Sequence, residues 1–214
     1  MINSKQFKTL GITTALVILN IALIYVLRFT PLAQVNDFVF QFLIAGMIFY
    51  GVLLFIGRYI GNKGIEENNV GYAVAGVALL EIAYGMFGAG ILRFTGEAAG
   101  IILAITAVVT VTMAVGSGLM VFWTGRDFSS FQTYSMYAFG AALLMGFIGS
   151  FSGIFALITF GLVLIGFILD LIYEIWSMKK HPGNVYMNGM GIYIAFMGVF
   201  VQILQIVARS YLER

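Results

Sequence analysis

The segment Gly161–Pro182, GLVLIGFILDLIYEIWSMKKHP, decides the reading of this chain. It is an apolar run of membrane-crossing length that carries two carboxylates, Asp170 and Glu174, and ends in Lys179, Lys180, His181 and Pro182. A hydrocarbon core about 30 Å thick is crossed by about 20 apolar residues in a helix. An acid inside such a helix costs about 2.5–3.5 kcal/mol on insertion scales, so these residues normally face a bundle interior or a watered cavity. The i, i+4 spacing puts both acids on one helix face, with Cβ atoms about 5–6 Å apart. At that separation each charge opposes the other and the two titrate as a coupled unit. The pattern points to a site that responds to protons or cations.

The rest of the chain fits this reading. Of 214 residues, 61% are hydrophobic and only 9% are charged, too little polar surface to coat a soluble globule. There is no cysteine, which excludes a disulfide framework, haem attachment and thiol chemistry, and a single histidine cannot build a zinc site. The net charge of +2 comes from scattered loop residues, not from a basic patch of the kind nucleic acid requires.

Apolar runs predict helices at about 10–27, 38–56, 70–92, 98–123, 132–148, 154–178 and 185–207. The expected fold is therefore all-α, a polytopic membrane protein forming one seven-transmembrane-helix domain over residues 1–214. A signal peptide would have a shorter apolar region followed by a small-residue cleavage site, so the first run is expected to be an uncleaved helix. The segment GRYIGNKGIEENN, residues 57–69, is the most polar in the chain and reads as a solvent loop. With the N-terminus inside, the inner segments hold Lys5, Lys8, Arg58, Lys63, Arg126, Lys179 and Lys180, and the outer ones Arg28, Arg93, Arg209 and Arg214. That bias predicts a cytoplasmic N-terminus and an outer C-terminus. Glycine, at 26 residues, is spread through the helices, which suits close helix approach.

Motifs that suggest catalysis dissolve on inspection. Gly149–Gly153, GSFSG, has Phe151 where a nucleophile elbow needs serine, and reads as a tight turn. His181 follows two lysines in a loop and is no base for a membrane-buried serine. Gly116-Ser117-Gly118 lies inside an apolar run with no strand before it, so it is not a phosphate loop. The chain is not expected to be an enzyme.

Glu81 stands alone in the third apolar run. It is either neutralised by a neighbouring hydroxyl or paired across the bundle with Asp170 or Glu174. The second arrangement would make a three-carboxylate cluster able to bind a hard cation such as calcium through oxygen. Arg58 is a candidate salt-bridge partner for that site, or else an ordinary cytoplasmic anchor.

Three segments resemble the Bax inhibitor family, the transmembrane Bax inhibitor motif proteins. They are WTGRDFSSF at Trp123–Phe131, Leu171-Ile172-Tyr173-Glu174, and Gly191-Ile192-Tyr193-Ile194-Ala195-Phe196. The resemblance implies a seven-helix calcium leak with pH dependence, gated by an acid pair from the sixth and seventh helices, and the expected location is a prokaryotic-type cell membrane. Glu174 matches the first acid of that pair, while Ala195 stands at the position of the second. The expected sensing residues are then Asp170, Glu174 and Glu81, with Asp170 and Glu174 as calcium ligands. The expected partners are the lipid bilayer and calcium or another cation, and no cofactor is required. The alternative is a non-conducting interaction or stress-regulatory protein of the same family.

Overall fold

The computed structural model describes residues 3–213; Arg214, counted above among the outer charges, lies outside them. Eight α-helices follow in order: α1 Ser4–Leu27, α2 Val35–Val39, α3 Leu43–Glu66, α4 Val70–Leu92, α5 Ala99–Thr124, α6 Ser130–Gly149, α7 Gly153–Lys180 and α8 Val185–Leu212. Short 3-10 turns at Pro31–Gln34 and Gly96–Ala98 precede α2 and α5, and no strand occurs among the described residues. Six of the helices, all but α2 and α6, are long and apolar enough to cross a membrane. The 20 residues of α6 begin with the more polar SFQTYSMY and fall outside that set.

Local chemistry sets the helix ends. At the start of α1 the Asn3 side chain accepts from the Gln6 amide and the Gln6 side chain accepts from the Asn3 amide, each at 2.9 Å, a reciprocal capping box. Asn69 caps α4 through the Tyr72 amide, and Gly125, at φ +62, closes α5 in the left-handed region that glycine adopts without strain.

The centre of the bundle is α8, buried at every position from Asn188 to Leu204 and packed against α1, α3, α4, α5 and α7. Its side chains Tyr193, Met197, Phe200 and Leu204 are fully enclosed. The outer helices show the reverse of a water-soluble pattern. On α1 the buried residues include Gln6, Thr9, Thr13 and Asn20, while Phe7, Ile18, Leu19 and Val26 lie exposed. Apolar residues turned outward and polar ones turned inward suit a helix in lipid. Thr13 donates to the Gly189 carbonyl at 3.0 Å, tying this polar stripe to α8.

Two antiparallel hairpins flank the centre. In α3–α4 the backbones touch: Gly61 and Gly76 lie so close that a Cβ on Gly76 would collide with the Gly61 main chain, and a Cβ on Gly64 would collide with Ala73. Gly57, Gly61 and Gly64 thus form a small-residue face, which lets helices approach where lipid supplies no hydrophobic drive. In α6–α7, Gly149 lies against Ala156 and Gly166 against Phe139. The hairpins meet at one end, where Gly146 of α6 faces Met47 of α3 and the Ile44 amide donates to Ser150 Oγ at 3.3 Å.

The expected loop over residues 57–69 is mostly helix, because its glycines give α3 a surface on α4 as far as Glu66. The turn is left to Glu67–Asn69, with Asn68 at φ +53. The helix expected from residue 38 starts instead at Leu43, after a break that follows α2. Arg58 consequently lies inside a helix and two turns from its end.

Candidate functional site

The long apolar face of α7 carries Asp170 and Glu174 inward, 9% and 4% exposed. Glu174 reaches α3, where the Arg58 guanidinium donates to its Oε1 at 2.5 Å. On the α8 side the carboxylate rests against Gly191, where any Cβ would overlap it. One glycine therefore makes room for the acid and one arginine answers its charge. The Glu174 side chain is 6% exposed and that of Arg58 37% exposed, so the desolvation falls mainly on the carboxylate. Asp170, one turn away, is within electrostatic reach of Arg58 and has no hydrogen-bond partner among the described residues.

Beside this group lies a cavity of about 540 Å³ between the hairpins, backed by α8. Its walls run from Leu43 to Arg58 on α3 and from Ala156 to Asp170 on α7, about 21 Å at the 1.5 Å rise of a helix. The lining is overwhelmingly apolar, with Arg58 and Asp170 at one end. At the other end Phe40 stacks on Tyr50 with ring centroids 5.8 Å apart, and Phe87 packs edge-on to Tyr50 at 4.8 Å. Phe55, Met136 and Leu143 line the cavity and are also exposed on the outside of the bundle, so they mark its rim between α3 and α6.

Glu81 is not brought to this group. It is 5% exposed and turned toward α1, where Asn20 Nδ2 donates to its Oε2 at 2.7 Å and to its carbonyl at 2.9 Å. The same amide lies 2.9 Å from the Tyr193 hydroxyl of α8. One turn on, the Tyr84 hydroxyl donates to the Ile194 carbonyl at 2.8 Å. Among the described residues no three of the histidine and acidic side chains come together to hold a metal ion. The expected three-carboxylate cluster does not form, because Asn20 holds Glu81 while Arg58 holds Glu174. Of the two readings of Arg58, the structure shows the salt bridge.

The loop between α5 and α6 has a local role. Asp127 Oδ1 accepts from the Ser129 amide at 2.9 Å, a turn leading into α6. That backbone bond, helped by the Ser129 hydroxyl and the Lys180 charge, holds the Asp127 carboxyl below its ordinary range.

Asn20 and Tyr84 escaped the sequence reading, while Tyr193 and Gly191 entered it only within the segment Gly191–Phe196, with no part in the site assigned to either. Asn20 carried a signal, since with Gln6, Thr9 and Thr13 it makes a polar stripe at helical spacing in an otherwise apolar run. Gly191 carried only the general signal of a helix glycine, because the fold alone sets it opposite Glu174. No protein-family model matches this chain, and no match appears among curated proteins or solved structures.

Proposed function

We propose that this is a seven-crossing membrane protein of the Bax inhibitor type that leaks cations, calcium foremost, in a pH-dependent way along the cavity beside Arg58, Asp170 and Glu174. The observation that carries the reading is an elongated cavity ending at a half-buried ion pair with a further carboxylate beside it. Charges inside an apolar bundle are costly and mark ion or proton pathways. Narrow apolar passages gate by excluding water.

The seventh crossing is supported by the ends of α5 and α7. Lys179 donates to the Val121 carbonyl at 2.7 Å, which sets the last turns of both helices at one end of the bundle. On this reading α6, running between them, returns through the same depth. The excess of lysine and arginine at that end favours placing it in the cytoplasm of a prokaryotic-type cell.

In the arrangement described, the Arg58 cation sits against Glu174 and repels a divalent cation. Two carboxylates against one guanidinium leave one negative charge in excess when both acids are ionised. A cation arriving from the cavity replaces Arg58 there. Calcium takes six to eight oxygen ligands, so two carboxylates suit a passing ion and not a resident one. Protonation of Glu174 removes its attraction for Arg58 and frees α7 to shift against α3 and α8.

A non-conducting interaction protein of the same type is the second reading. It is favoured by α8, which buries Ala195 and has no acid among the residues that face the site. Calcium entry into dye-loaded liposomes holding the purified protein, scanned over about pH 5–8, decides between them. The expected result is pH-dependent flux that loses its pH dependence in Asp170→Asn with Glu174→Gln. Flux no higher than in empty liposomes at every pH overturns the leak.

A further inference from the structure

We propose that the same cavity is a binding site for a lipophilic amine, a molecule with an apolar body and one protonated nitrogen, taken sideways from the bilayer between α3 and α6. At about 540 Å³ the space falls within the range of small-molecule sites. Its walls include Phe40, Phe55, Phe87, Phe139, Phe160 and Phe167. Aromatic faces attract cations, most strongly where water is excluded.

The head of the ligand is read from Asp170. Its side chain lines the cavity, is about nine-tenths buried and has no hydrogen-bond partner among the described residues. The neighbouring guanidinium is bonded to Glu174 instead. A carboxylate so placed accepts a protonated nitrogen and opposes the carboxylate of a fatty acid. Further along, Gln202 lines the same cavity with its Oε1 buried and unpaired, a second acceptor for an N–H or O–H of the ligand. The route is marked by Phe55 and Met136, which are 72% and 67% exposed while also forming the cavity wall. An apolar body that partitions into lipid meets this rim without crossing water.

The inference does not depend on ion conduction, and its test reads binding alone. Tritium-labelled hexadecylamine is titrated against the purified protein in lipid nanodiscs, with hexadecanol and hexadecanoic acid as competitors of equal chain length. Saturable amine binding is expected, with both competitors weaker by about tenfold or more and Asp170→Asn weakening the amine by a similar factor, a difference of about 1.4 kcal/mol. Gly51→Leu is expected to weaken it too. Gly51 lines the cavity and a Cβ there meets nothing within 4 Å, so a side chain starts from this wall without a clash at its first carbon. Binding no higher than to protein-free nanodiscs overturns the proposal. So does equal displacement by hexadecanol, or undiminished amine binding by either variant.

Discussion

Removing either partner of the Arg58–Glu174 pair should have unequal effects. Breaking a fully buried ion pair from one side costs about 3–5 kcal/mol, because the other charge is left stranded. Arg58→Met strands a carboxylate that is 6% exposed and enclosed by Gly191. Glu174→Gln leaves a guanidinium that is 37% exposed and two turns from the end of α3, where its long side chain can reach toward the membrane surface. Discounting for that partial hydration, Arg58→Met should cost about 2–3 kcal/mol and Glu174→Gln about 1 kcal/mol. For a chain of this size these losses lower the melting temperature by about 5–10 °C and about 2–4 °C. The double variant should recover part of the larger loss, since two neutral groups replace one bare charge. Reversible unfolding in mixed micelles, followed by circular dichroism on the wild type, both singles and the double, gives the coupling energy directly. Equal small losses that simply add would refute the reasoning, because they would mean that Glu174 is as wet as Arg58.

The acid's place on α8 gives a second prediction. Gly191→Ala should displace the Glu174 carboxylate and abolish its coupling to Arg58 in the same cycle, whereas Gly189→Ala, which meets only Ile12 and the Thr9 carbonyl at 3.1 Å or more, should leave it intact. Asn20→Leu should destabilise the protein by about 1–3 kcal/mol, since Glu81 loses its donor. Adding Glu81→Leu should recover much of that loss, and no recovery in the melting temperature would show that Asn20 acts elsewhere. Asp127 should titrate below 3.8 in a side-chain carboxyl NMR titration. Because its folded value is depressed, its contribution to stability is present above the unfolded value and fades as pH falls through the folded one. Ser129→Ala should raise that midpoint only in part, because the amide bond remains, and a midpoint already at the ordinary value in the wild type would remove the turn from solution.

The charged core of the site was legible because ionised groups stand out in apolar sequence. Asp170, Glu174 and Arg58 could be named from composition and spacing, and the structure brings them together. Glu81 was as visible, but its partner was set by the rotation of α4, which puts it against Asn20 and Tyr193. Spacing along one helix fixes which residues share a face and leaves open what that face meets. The same limit applies to glycine. At Gly57, Gly61, Gly76 and Gly191 close approach is real, whereas at Gly116, Gly118, Gly140 and Gly161 an added Cβ would meet nothing. The polar stretch GRYIGNKGIEENN looked like loop on hydrophilicity alone, yet three of its glycines carry a helix interface that hydrophilicity does not register.

The enclosed position of α8 bears on the order in which the protein is made. Translation releases helices from the N-terminal side first, and α8 follows every helix that surrounds it. Until it inserts, Thr13 lacks the Gly189 carbonyl, Tyr84 lacks the Ile194 carbonyl and Glu174 lacks the surface it rests on. The nascent bundle therefore holds an open central slot lined with polar groups, a species that insertion chaperones or lipid headgroups would have to shelter. A ribosome stalled before Val185 should leave the earlier helices open to protease and to water-soluble labels, and release of the remaining chain should close them in one step.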